Sequence, residues 1–145
     1  MAASPRLTAR PGSEIVHEFC ISLDDMLAFA RLSGDDNPIH LDDAFAQRRG
    51  FPRIIVYCGL LVAQCSRVMG TRMPGHGGVC RSVNLKFRAP LYVDEPARLI
   101  ATVVHANEEL GLVDLKLRIE AGDKCVADGT AAGMMTAEKQ IAEVA

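Results

Sequence analysis

The chain has 145 residues, enough for one domain with a sizeable core and too few for a second of ordinary size. Hydrophobic residues make up 49% and charged residues 23%, which excludes disordered and fibrous classes; a net charge of -2 gives no overall electrostatic footprint for nucleic acid or an anionic membrane surface. The longest apolar stretch, Cys58 to Cys65, is broken by Gln64 and far too short to span a bilayer, so no membrane anchor is expected.

From the N-terminus, Met1 to Arg10 carries two arginines without the apolar core of a secretory signal, so residues 1–12 read as a loose tail. Ile15 to Cys20 contains alternating apolar residues and reads as a strand. Ser22 followed by Asp25 resembles a capping box, and Leu23, Met26, Leu27 and Ala30 repeat at helical spacing, which predicts a helix over Leu23 to Leu32 closed by Gly34. Gly34 to Pro52 is rich in Asp, Asn, Pro, Arg and Gly and forms a long loop, with a helical island at Asp42 to Gln47. Gly59 to Met69 is almost wholly apolar and predicts a buried central helix capped by Gly70.

Beyond the Gly- and Pro-rich stretch Gly70 to Gly78 the period changes from helical to extended. Val79 to Phe87, Ala97 to His105, Leu112 to Ile119 and Cys125 to Met135 are predicted strands, with a turn at Asn107 to Gly111. The domain therefore spans 13–135, and the Ala- and Glu-rich residues 136–145 form a tail that is a short helix or frays. This order predicts an α+β domain in which a curved antiparallel sheet of five or six strands wraps one apolar helix. A helix apolar nearly all round needs cover on every side, which points to a dimer.

Five cysteines, Cys20, Cys58, Cys65, Cys80 and Cys125, are odd in number, scattered and set in apolar surroundings. They predict buried structural thiols in a reducing, cytoplasmic compartment, and the lack of C-x-x-C spacing predicts no metal. His17 and His105 fall in strands and His76 in a loop. Arg48, Arg49 and Arg53 read either as a solvated face or as partners for a phosphate.

The informative run is Ser33-Gly34-Asp35-Asp36-Asn37-Pro38-Ile39-His40. A carboxylate and an imidazole flanking a stiff proline turn can hold a water between them and divide general-base and general-acid roles, with the Asn37 amide orienting that water. The spacing alone does not separate this reading from an ordinary turn in which Asp and Asn bond their own backbone. The run Arg53 to Leu60 leads into the apolar helix, whose free N–H groups suit an oxyanion; an ordinary buried helix start reads the same way.

Together these runs resemble the MaoC-like hydratase/dehydratase family of hot-dog proteins. Asp35-Asp36-Asn37-Pro38-Ile39-His40-Leu41-Asp42 matches the D-x-N-P-x-H-x-D signature without a gap, Arg53 to Leu60 resembles R-P-I-V-H-G-M-L, and Asn84 to Glu95 is a weaker match to L-x-F-x-x-P-V-x-x-G-D. The resemblance implies a single hot-dog domain that adds water to a 2-enoyl thioester, giving an (R)-3-hydroxyacyl thioester. It assigns Asp35 and His40 to water activation, Asn37 to orienting the water and the Cys58 backbone amide to the thioester oxygen. Tyr57, Gly59, Ser66 and Met69 become substrate-binding positions. It implies no cofactor beyond the coenzyme A or acyl carrier protein of the substrate, no nucleic-acid or membrane partner, and a homodimer or dimer of dimers.

Tyr57 replaces the family's usual histidine, and Cys58 replaces a glycine whose lack of a Cβ lets the thioester approach closely. A thioesterase shares the fold but places a carboxylate on or near the central helix, and Gly59 to Met69 contains none. A non-catalytic acyl-thioester-binding module is the other alternative, for which the changes at Tyr57 and Cys58 speak.

Overall fold

Alternation of apolar and polar side chains builds the centre of the sheet. The structure, a computed structural model, describes residues 7–137. In β3 (Ala97–Asn107), Ala97, Leu99, Ala101 and Val103 are buried, and in β4 (Leu112–Ala121), Val113, Leu115, Leu117 and Ile119 are buried, while Asp114, Lys116 and Arg118 face out. The antiparallel register sets Leu99 opposite Ile119, Ala101 opposite Leu117 and Val103 opposite Leu115, so one face is continuously apolar. Truncating one of these leucines to alanine costs about 2–5 kcal/mol.

β1 (Glu14–Phe19) pairs with β3, and β5 (Lys124–Met135) pairs with both β4 and β2 (Gly78–Phe87), giving the fully antiparallel order β1-β3-β4-β5-β2. The Ser22 and Asp25 capping box starts α1 (Leu23–Ser33), and Gly34, at φ 75°, ends it in the left-handed conformation. Asp42 caps the short α2 (Asp43–Arg48). α3 (Cys58–Thr71) lies across β2 and β3. No described helix is long and apolar enough to cross a membrane.

Three expectations need correction, and one about α3 holds. Gly70 lies inside α3 rather than capping it; the helix continues to Thr71 and stops before Pro74, which cannot extend it. As expected, the sheet covers only part of α3: Leu61, Cys65, Val68 and Met69 form one buried stripe, and Val62, Ala63, Ser66 and Arg67 are open in the single protomer. Residues 7–12, expected in a loose tail, are docked instead: Leu7 and Ala9 enter the core and the Gly12 N–H donates to the Val103 carbonyl at 2.8 Å. Of the five free cysteines only Cys65 is buried; Cys20, Cys58 and Cys80 are exposed and Cys125 is half-buried, since apolar neighbours in sequence do not all share its side of the backbone. The C-terminal helix or frayed end falls mostly on residues 138–145, outside the described residues.

Candidate active site

Each turn of the Asp35 to His40 loop is held by its own side chains. The Asp35 N–H donates to Ser33 Oγ at 3.1 Å, the Asn37 N–H to Asp35 Oδ1 at 3.1 Å, and the Ile39 N–H to Asn37 Oδ1 at 3.1 Å. These are successive side-chain-to-backbone turns of the kind Asp, Asn and Ser favour, and Pro38 then begins a short 3-10 turn, Pro38–His40. The Asn37 oxygen is committed to the backbone, so its NH2 group is the part left to meet a ligand.

The half-buried His40 is fixed from two sides. Its Nδ1 lies 2.7 Å from the Ile55 carbonyl oxygen, and a carbonyl only accepts, so Nδ1 carries a hydrogen and, in the neutral ring, the lone pair is on Nε2. Its ring sits 4.1 Å from the Tyr57 ring, centroid to centroid, at 30°. Tyr57 is buried, and its hydroxyl donates to the Asp35 carbonyl at 2.6 Å. Burial, reinforced by the nearby Asp35 and Asp36 carboxylates, pushes the Tyr57 hydroxyl above its ordinary value, so it stays protonated at neutral pH.

Tyr57 is also the N-cap residue of α3, and its side chain caps nothing there. The amides of Cys58 and Gly59 therefore stand without an intrahelical acceptor at the positive end of a helix of 14 residues, a suitable place for an oxyanion. Beside them lies a cavity of about 280 Å³ lined by Phe51, Ile55, Val56, Cys58, Leu61 and Leu91, among others. Loss of solvation pushes the Cys58 thiol up, opposed by its own backbone amide, so it is a neutral wall at neutral pH. A larger cavity of about 550 Å³, lined by Glu18, Cys20, Arg98 and Glu120 among others, shares no residue with this site.

The structure thus brings Asp35, Asn37, His40 and the Cys58 amide to one region. Of the expected site residues only Cys58 lines the cavity; Asp35, Asn37 and His40 lie outside its lining, as do the expected substrate contacts. Tyr57 points to Asp35 and His40, Gly59 backs onto the Phe29 ring, Ser66 is on the open face of α3, and Met69 is in the core. Arg48 and Arg49 lie over the Phe45 ring at 5.7 and 5.0 Å and Arg53 over Tyr92 at 5.5 Å; among the described residues none of the three makes a salt bridge. No group of three or more metal-ligating side chains converges among the described residues. The Ile55 carbonyl was not foreseen, and no feature of an isoleucine marks its backbone oxygen as functional.

The antiparallel sheet backing one helix is the hot-dog fold, and similarity to the relatives that follow makes the chain an enzyme of the hydratase/dehydratase class. The chain belongs to the MaoC-like domain family, which it matches over residues 7–119. It is 37% identical over 111 residues to the 3-hydroxybutyryl-CoA dehydratase of Methylorubrum extorquens, covering 77% of this chain and 71% of that one. It is 33% identical over 117 residues to the (R)-specific enoyl-CoA hydratase of Rhodospirillum rubrum, covering 81% of each. The solved (R)-hydratase of Aeromonas caviae superposes with a TM-score of 0.84 at 29% identity, covering 89% of this chain and 98% of that chain.

Proposed function

We propose that this chain hydrates a 2-enoyl thioester to an (R)-3-hydroxyacyl thioester, and catalyses the reverse dehydration, with Asp35 and His40 activating the water. The observation that carries the reading is the orientation of His40: with Nδ1–H spent on the Ile55 carbonyl, Nε2 is left as a free base beside the Asp35 loop. In the hydration direction Nε2 accepts one proton of the water as its oxygen bonds to C3, and the electron pair of the double bond moves toward the thioester carbonyl. The amide N–H of Cys58 holds the resulting enolate oxygen. The imidazolium then returns the proton to C2 on the same face, which leaves the enzyme unchanged and adds one water overall. Asp35 accepts a hydrogen bond from the water's second O–H, which stays on oxygen as the product hydroxyl, and stabilises the imidazolium, and the Asn37 NH2 helps orient the water.

The apolar cavity beside Cys58 supports an acyl thioester as substrate, carried by coenzyme A or acyl carrier protein, and requires no further cofactor. The open stripe of α3, with Val62 exposed, supports a homodimer, or a dimer of dimers, as the working form. Five free cysteines support a cytoplasmic setting. The test is loss of enoyl absorbance with crotonyl-CoA, run with Asp35→Asn, His40→Ala and a free-thiol assay. Hydration abolished in both variants without thiol release supports the proposal; thiol release points to a thioesterase, and silence across several acyl lengths points to a binding module.

A further inference from the structure

We infer that Tyr57 is the positioning residue of this site: its ring is the platform for the His40 imidazole and its hydroxyl anchors the backbone of Asp35. The inference rests on the hydratase reading for its kinetic consequences, but the contacts themselves do not. Tyr57 is only 2% exposed, so its hydroxyl needs an internal partner, and the partner is the Asp35 carbonyl, 22 positions earlier in the chain. That carbonyl directly follows the left-handed turn at Gly34 and opens the turn in which Asp35 Oδ1 accepts from the Asn37 N–H. Fixing it therefore fixes the peptide plane from which the carboxylate projects.

His40 is held on its edge by Ile55 and on its face by the Tyr57 ring at 4.1 Å. The Tyr57 ring is itself backed by Phe29 at 4.7 Å. Because Tyr57 immediately precedes Cys58, one residue ties the carboxylate, the imidazole and the first free amide of α3 to a common frame. Its hydroxyl is spent on the Asp35 carbonyl and its ring on the His40 face, so Tyr57 acts through Asp35 and His40 rather than on the substrate. Where histidine stands in the family pattern, this chain has a longer aromatic side chain that reaches the Asp35 backbone.

The test compares wild type, Tyr57→Phe, Asp35→Asn and the double variant by crotonyl-CoA kinetics and by amide hydrogen exchange. Tyr57→Phe keeps the ring stack and removes only the anchor. It should lower kcat by about 10- to 100-fold, the scale of a displacement of about 1 Å at a reacting group, with KM within about twofold. In the Asp35→Asn background the same substitution should lower the residual rate by no more than about threefold, since the two residues act as one unit. The Asn37 and Ile39 amides should exchange about tenfold faster in Tyr57→Phe, with protection in β3 and β4 unchanged.

A raised KM at unchanged kcat would make Tyr57 a substrate contact and overturn the inference, as would effects that multiply in the double variant. Unchanged exchange at Asn37 also overturns it. If wild type hydrates no acyl thioester, the hydratase reading fails, and the exchange measurement alone decides whether Tyr57 holds the Asp35 loop.

Discussion

Placing a methyl group on Gly59 tests the packing that supports the site from behind. A Cβ at this position would lie 2.3 Å from Phe29 Cζ and 2.9 Å from Cε2. Carbon atoms pack at about 3.5 Å or more, so the ring must withdraw by about 1.2 Å. It has little freedom to do so, being packed against Tyr57 on one side and carried by α1 on the other. Overpacking of this kind costs about 1–3 kcal/mol, against about 1 kcal/mol gained by replacing glycine with alanine in a helix. Gly59→Ala should therefore lower stability by about 0–2 kcal/mol. Its effect on turnover should be larger, about 100-fold in kcat, because the displaced ring moves Tyr57 and with it His40 and Asp35. Urea unfolding and crotonyl-CoA hydration measure the two quantities. Phe29→Leu in the same chain removes the clashing atoms and should restore most of the lost activity. The reasoning is refuted if Gly59→Ala turns over as wild type does, or if Phe29→Leu adds its own loss in full instead of relieving the first.

Cys58→Gly removes the thiol from the cavity wall and should raise kcat/KM for the enoyl thioester, at a cost of about 0.5–1 kcal/mol in helix stability; unchanged or reduced kcat/KM argues against crowding. Burial pushes the Cys65 thiol up to about 11 from 9.0, so the folded state keeps its proton where the unfolded chain loses it. Stability is then full below pH 9 and falls by about 3 kcal/mol in total as pH rises through 11. Urea unfolding under reducing conditions should show a flatter decline over this range in Cys65→Ala, and parallel curves would contradict the shift. A Cβ on Gly129 would lie 1.8 Å from the Asn84 carbonyl oxygen, across the β2 and β5 pairing, so Gly129→Ala should cost more than about 4 kcal/mol or prevent folding. A melting temperature within a few degrees of wild type would show that the strands accommodate it.

The elements and the Asp35 to His40 turn were legible in the sequence because the forces behind them act over a few residues. Periodic burial, the Ser22 and Asp25 box, the left-handed Gly34 and the chained Asp, Asn and Ser turns all involve partners within four positions, so their pattern is written in order along the chain. Tertiary structure alone decided which nitrogen of His40 is free, since the Ile55 carbonyl that selects the tautomer lies 15 positions away and belongs to an unremarkable side chain. It also decided that Tyr57 turns inward to Asp35, that Gly59 makes room for Phe29, and that Cys58 and Cys80 are exposed while Cys65 is buried. These outcomes depend on which face each backbone segment presents once distant elements meet, a property that composition and local spacing do not carry.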